Sequence, residues 1–181
     1  MNGSIAKRYA TALFEEAKSQ FVDQQIYEHL GVLHTAMKAE PDLQMALINP
    51  RVTMEKKYTL LLLASGLDLE ATTLYTRFLR LLLENHRESQ LRLIIFVYRD
   101  MYRQHYDIDR VVFETAVPVD DDTITHLIER IQAHRHRKVE CVQKVNPSLI
   151  GGFRLRIGDH RYDYSYRHQL EKIRKELCPT L

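Results

Sequence analysis

The chain has 181 residues, 45% of them hydrophobic and 28% charged, with a formal net charge of +2. That supplies apolar material for one medium core or two small ones and excludes a disordered chain. Residues 1–106 and 107–181 each hold 13 Lys and Arg against 12 Asp and Glu, so neither half carries the basic excess of a nucleic-acid binder. The N-terminus, Met1 to Arg8, has no apolar segment behind its positive charges, and the densest apolar run, Leu79 to Leu83, contains Arg80. Neither reads as a signal peptide or a membrane span. Membrane association is therefore expected only through a partner. Cys141 and Cys178 lie far apart without Cys-x-x-Cys spacing, which suits free thiols in a reducing cytosol.

The first hundred or so residues predict helix after helix with short links. Ile5 to Ser19 opens behind Ser4 as N-cap. A second helix runs from Asp23 to Ala39 and stops before Pro41, because the residue preceding a proline avoids the helical region. A short helix covers Asp42 to Ile48 and ends at Asn49-Pro50. Thr53 caps a fourth, Met54 to Ala64, closed by Ser65-Gly66. Asp68 stands as the cap of a fifth, ending near Asn85-His86, and a sixth runs from Glu88 to about His105. The expectation is a compact six-helix bundle over residues 1–106.

The hydrophobic period changes at Asp107. Val111, Phe113, Thr115 and Val117 alternate with their neighbours, the spacing of a strand that Pro118 ends. Asp120, Asp121 and Asp122 sit where acidic groups favour a helix N-terminus. Ile124, Leu127, Ile128 and Ile131 then form one amphipathic face. Val139, Cys141 and Val145 indicate a second strand, and Phe153, Leu155 and Ile157 a third. Gly158-Asp159 turns the chain into a fourth around Tyr162 and Tyr164. Ser165 caps a last helix, Tyr166 to Leu177, before Pro179. Residues 107–181 thus predict a small α+β domain, and the whole chain is α+β.

No catalytic or metal constellation stands out, and neither a cofactor nor a small-molecule substrate is expected. The loop Asn146 to Gly152 lacks the lysine and hydroxyl of a phosphate loop and is read as a turn with positive φ. His134 and His136, two apart, diverge on a helix. Cys141 reads as a buried strand thiol, and Arg135 to Lys138 as a solvated helix end. What does stand out is apolar surface in excess of one core-facing stripe. Ile5, Ala6, Tyr9, Ala10, Ala12, Leu13, Phe14 and Ala17 span roughly 200° of a helical wheel. Leu74, Tyr75, Phe78, Leu79, Leu81, Leu82 and Leu83 span a similar arc. Either both helices are central, or one flank packs inward and the other forms a groove for a partner helix. On the first helix Ala6, Ala10, Leu13 and Ala17 fall to the core side, and Ile5, Tyr9 and Ala12 to the other flank.

Ile5 to Phe14 (Ile-Ala-Lys-Arg-Tyr-Ala-Thr-Ala-Leu-Phe) resembles the opening helix of F-type ATP synthase delta subunits and of the mitochondrial oligomycin-sensitivity-conferring protein. Phe78 to Arg87 resembles the end of that family's fifth helix. Pro147 to Asp159, continued through Asp163 to Leu170, resembles its C-terminal pattern: the pair Gly151-Gly152, an apolar strand, Ile157-Gly158-Asp159, then Asp163, Ser165 and Arg167 before a final helix. The sequence departs from the family pattern where glycine is common, at His86 and within His134 to Arg137.

The resemblance implies a non-catalytic connector in the peripheral stalk. Its helical domain would bind the N-terminal helix of an alpha subunit in a groove between helices one and five, with Ile5, Tyr9, Ala12, Leu74, Phe78 and Leu81 as contacts. Its C-terminal domain would hold the C-terminal region of the stator b subunits, built on Gly151, Gly152, Gly158, Asp159, Asp163, Ser165 and Arg167. It would sit peripherally, at the cytoplasmic face of a bacterial cell membrane, through the complex alone. The rival readings are a two-domain nucleic-acid binder using C-terminal arginines and an enzyme with a site at the domain junction.

Overall fold

The computed structural model describes residues 2–68 and 73–177. Eight α-helices and one four-stranded mixed sheet make an α+β protein among these residues. The chain divides into two compact units, Met1–Tyr102 and Arg103–Leu181. The division falls inside a helix, one turn ahead of the expected boundary at residue 106. The last turn belongs with the second unit because Arg103 pairs there with Glu140 at 3.4 Å.

In the first unit the helices are α1 (Asn2–Ser19), α2 (Asp23–Ala39), α3 (Pro41–Ile48), α4 (Met54–Ala64), α5 (Leu74–Glu84) and α6 (Leu91–His105), the last preceded by a 3-10 turn at Glu88–Gln90. The punctuation works largely as read. Thr53 caps α4 by accepting from the Lys56 N–H, and Ser65 closes it. Two starts differ. α1 begins at Asn2, so Ser4 lies inside it rather than capping it. α5 begins at Leu74 and its cap is Thr73, not Asp68; the side chains of Thr73 and Thr76 form a reciprocal capping box. Asp68 precedes residues that lie outside the described set.

Small residues line the inward face of α1. Ala6, Ala10 and Ala17 are fully buried, Leu13 and Phe14 nearly so. Phe14 meets Tyr98 of α6 edge to face at 5.6 Å. Ile26, Leu30 and Leu33 of α2, Leu61 and Leu62 of α4, Leu79 and Leu82 of α5, and Leu91, Ile94 and Ile95 of α6 complete the core. Within this unit Lys57 Nζ donates to Glu88 Oε1 at 2.8 Å, with about a tenth of each side chain exposed. Removing either partner would strand a charge.

The second unit orders its strands β2-β1-β3-β4, where β1 is Ile108–Thr115, β2 Lys138–Val145, β3 Gly152–Ile157 and β4 His160–Ser165. β1 and β2 run parallel, joined by α7 (Asp121–Arg135), and the remaining pairs are antiparallel. Asp120 caps α7 by accepting from the Thr123 N–H at 2.9 Å. Val111, Ile131 and Ile157 centre a small core with Leu127, Val139, Cys141 and Leu155 packed around it. β4 runs directly into α8 (Tyr166–Leu177).

Both departures from the glycine pattern sit in left-handed backbone. His86 has φ 52° and His136, which closes α7, has φ 54°. A residue with a Cβ pays about 1 kcal/mol there, which glycine partly avoids at an entropic cost in the unfolded chain. His86→Gly and His136→Gly should each raise the urea midpoint, by about half a kcal/mol in stability; unchanged or lower midpoints would show that the imidazoles contribute contacts worth more than the strain.

Candidate functional site

α1 separates its two apolar groups. Ala6, Ala10, Leu13 and Ala17 are buried, whereas Ile5 and Tyr9 are half-buried and Ala12 is exposed. The Arg8 guanidinium lies 6.0 Å from the Tyr9 ring centroid. Ala12 also borders a shallow open depression of about 450 Å³ lined by Ser4, Lys7, Arg8, Thr11 and Glu15. These groups do not converge on a point, and the depression has no catalytic geometry. Thr11 is anchored to α6 through its hydroxyl and Met101 Sδ at 3.8 Å.

On α5 the outward flank is narrower than the wheel suggested. Leu81 is 49% exposed and Leu74 half-buried, but Phe78 is only 6% exposed and belongs to the core with Tyr75, Leu79, Leu82 and Leu83. Of the three expected contact residues on this helix, Phe78 is the one with almost no surface in the free chain. The arc width alone shows that α5 has two apolar flanks, not where the boundary between them falls.

Of the C-terminal motif residues, Asp163 and Ser165 meet, and Arg154 and Arg161 join them around the Asp163 carboxylate. Asp163 Oδ2 accepts from Arg154 Nε at 2.8 Å and from an Arg161 guanidinium nitrogen at 3.3 Å. Asp163 Oδ1 accepts from the Ser165 hydroxyl at 2.6 Å and from its N–H at 3.2 Å. Ser165 Oγ in turn accepts from the His168 N–H at 3.2 Å, capping α8. Arg154 continues the chain to Glu114 on β1 at 3.2 Å. Burial pushes the Asp163 carboxyl up, but the Ser165 hydroxyl, Arg154 and the Ser165 N–H outweigh it and hold the group well below the usual carboxylate range.

Gly151 and Gly152 are required for different reasons. At Gly152, φ is 71° and a Cβ would stand 2.3 Å from the Tyr164 carbonyl oxygen. Gly151 has no left-handed backbone; a Cβ there would strike the Tyr166 ring at 2.3 Å. Its constraint is the seat it leaves for the first residue of α8. Gly158 and Asp159 form the exposed two-residue turn between β3 and β4. Arg167 is exposed on α8. Asn146 satisfies its own loop, accepting from the Ser148 hydroxyl at 2.7 Å and N–H at 3.2 Å. The basic run after α7 is largely neutralised: Arg135 pairs with Asp109, and Arg137 with Asp107 at 3.3 Å and Asp109 at 3.6 Å. Cys141 is half-buried, and burial pushes its thiol up. Among the described residues no group of His, Cys, Asp and Glu is arranged to hold a metal ion, and no helix is long and apolar enough to cross a membrane.

The family described as ATP synthase delta (OSCP) subunit matches residues 5–177. The ATP synthase subunit delta of Parabacteroides distasonis is 42% identical over 97% of this chain and 96% of its own length. Its counterpart in Anaeromyxobacter dehalogenans is 35% identical, covering 97% of each. A chain in the structure of the Toxoplasma gondii mitochondrial ATP synthase hexamer shares the fold with a TM-score of 0.71, at 21% identity over 97% of this chain and 98% of that one.

The chain belongs to the ATP synthase delta (OSCP) subunit family. Its role is that of a non-catalytic peripheral-stalk subunit of F-type ATP synthase. A stalk subunit works through fixed surfaces, and the Asp163 cluster is the kind of feature that fixes one.

Asp163 also gives the fold a defined acid response. Its carboxyl titrates lower in the folded chain than the unfolded value near 3.9, so it adds stability that is present above about pH 4 and lost as pH falls through the depressed folded value. Asp163→Asn should cost about 2 kcal/mol at pH 7. Urea unfolding across that range should show the variant and parent curves converging as the pH falls below about 4; parallel curves would place the acid response elsewhere.

Proposed function

We propose that the chain ties the catalytic head to the stator with one partner on each unit. The first unit, read as a six-helix bundle, takes the N-terminal helix of an alpha subunit along the outward flanks of α1 and α5. Ile5, Tyr9 and Ala12 contribute from one helix, and Leu74 and Leu81 from the other. The second unit holds the C-terminal region of the b subunits. The complex sits at the cytoplasmic face of the bacterial cell membrane, and this chain reaches that membrane only through its partners.

The observation that carries the reading is the divided surface of α1. Five side chains of its apolar arc are buried, while Ile5, Tyr9 and Ala12 on the adjoining flank keep water contact. A flank of this kind suits an amphipathic helix laid into a groove. Ala12 is small enough for close helix approach, and Tyr9 combines a large apolar ring with a polar tip. The mechanism is mechanical. Rotation of a central shaft exerts torque on the head, and a connector bound at both ends holds the head still. Binding surfaces suffice for that task. The paired arginines at the end of α7 leave little free charge there for a phosphate backbone, which weighs against nucleic acid as a partner.

Ala12→Asp tests the first interface. In the free chain the new carboxylate stays hydrated, so stability should change by less than about 1 kcal/mol. In the complex it is desolvated without a partner, at a cost on the order of several kcal/mol. Thermal unfolding should be near normal while binding to an alpha-subunit N-terminal peptide is lost. Normal unfolding with normal binding would put the alpha subunit elsewhere, and a large loss of stability would return Ala12 to the core.

A further inference from the structure

α5 is turned away from the rotation that apolar burial alone would give it. At about 100° per residue its apolar side chains, from Leu81 and Leu74 at one edge to Leu83 at the other, cover roughly 200°. The side chains it buries are Phe78, Leu82, Tyr75, Leu79, Leu83 and, beyond them, Thr76. The middle of that buried sector lies about 40° from the middle of the apolar arc. Leu81 is left 49% exposed at one edge while a threonine, 2% exposed, is taken inside at the other. Burial of apolar area favours the opposite turn.

The bonds of Thr76 do not explain this rotation. Its hydroxyl donates to the Thr73 carbonyl and accepts from the Thr73 N–H, both at 2.9 Å. Those bonds make its burial tolerable, but they lie within the first turn of α5 and rotate with it. The contact that reaches another helix is at Tyr75, near the middle of the buried sector. Its hydroxyl lies 2.7 Å from Ser65 Oγ, and both residues are 1% exposed. Ser65 gives its own proton to the Leu61 carbonyl at 2.7 Å, so Tyr75 is the donor. Ser65 closes α4 and is held there by its N–H, which donates to the Leu61 and Leu62 carbonyls at 3.0 Å.

Turning α5 back by about 40° would carry the Tyr75 hydroxyl on the order of 5 Å, out of reach of Ser65. The donor would then stand buried without an acceptor, which is costly in an apolar core. A single buried polar contact fixes register among apolar residues that would pack nearly as well in another. We propose that Ser65 and Tyr75 are positioning residues: their bond sets the rotation of α5 and so keeps Leu74 and Leu81 on the outward flank. What that flank is for rests on the reading of it as part of the alpha-subunit groove; the bond is what holds it outward.

The test uses the full chain with a cysteine added at either edge of the arc, Leu81→Cys or Leu83→Cys. Alkylation is read by peptide mass spectrometry, so Cys141 and Cys178 do not contribute. In the parent background Leu81→Cys should react about tenfold faster than Leu83→Cys. In Tyr75→Phe the ratio should fall about threefold, and an alpha-subunit N-terminal peptide should bind about fivefold more weakly. Ser65→Ala leaves the Tyr75 hydroxyl without an acceptor and should lower the Tm. Ser65→Ala with Tyr75→Phe removes both hydroxyls and should restore the Tm, yet keep the altered ratio and the weaker binding. An unchanged ratio in Tyr75→Phe and in the double variant overturns the proposal. An altered ratio with full peptide binding overturns the positioning role. Binding that returns together with the Tm in the double variant reduces the bond to a stabilising contact and overturns it as well. If Leu83→Cys does not fold, the reactivity of Leu81→Cys in the two backgrounds decides alone. A parent chain that does not bind the peptide defeats the groove reading instead, and the labelling still decides whether the bond sets the rotation.

Discussion

Apolar flanks that the chain does not cover by itself are the constraint on which the rest of this structure turns. An isolated protein would be expected to bury such flanks or replace them with polar residues, because contiguous exposed apolar surface invites association. Here they remain on α1 and α5, and in each case the inward side is complete without them. α1 buries Ala6, Ala10, Leu13, Phe14 and Ala17, and α5 buries Tyr75, Phe78, Leu79, Leu82 and Leu83. On the proposed reading, folding and docking therefore draw on different residues of the same helix. That separation lets a connector be stable before assembly and still offer apolar area to it.

Small residues make the separation possible on α1. Three buried alanines bring its axis close to its neighbours, so the inward face needs only a narrow arc to close the core. The contact of Phe14 with Tyr98 then holds the helix against α6. A bulkier inward face would lift α1 and expose the core beneath it. The Lys57–Glu88 pair adds a different kind of fixation: it links α4 to the turn before α6 at a defined point, where a purely apolar contact could slide.

Much of the fold was legible because chain breakers stand at the right places. Pro41 ended α2, Thr53 opened α4, and Ser65-Gly66 closed it. The alternation of Phe153, Leu155 and Ile157 announced β3. Information that depends on a distant neighbour was not legible. Nothing local says that β1 pairs in parallel with β2, or that Arg103 at the end of a helix pairs with Glu140. The burial of Phe78 was not legible for the same reason: an apolar arc of given width has an inner and an outer part, and only the packing of the other helices decides which is which. Gly151 was read as a conformational requirement, whereas the structure makes it a steric one set by Tyr166.

The path from α8 into the sheet bears on how a stalk subunit transmits force. β4 ends at Ser165 and α8 begins at Tyr166, so no loop intervenes to stretch. Beside that covalent joint runs a series of charge-assisted hydrogen bonds: Ser165 to Asp163, Asp163 to Arg154, Arg154 to Glu114 on β1. Each bond crosses to a neighbouring residue or strand, so a pull on α8 is shared by β4, β3 and β1 rather than borne by the edge strand alone. Such bonds are stronger than neutral ones and directional, and with only 16% of the Asp163 side chain exposed they are poorly screened by solvent. An apolar contact at the same place would resist separation but not rotation. A carboxylate that accepts from two arginines and from both the hydroxyl and the N–H of Ser165 resists both, which is what a helix held at a fixed angle to its sheet requires.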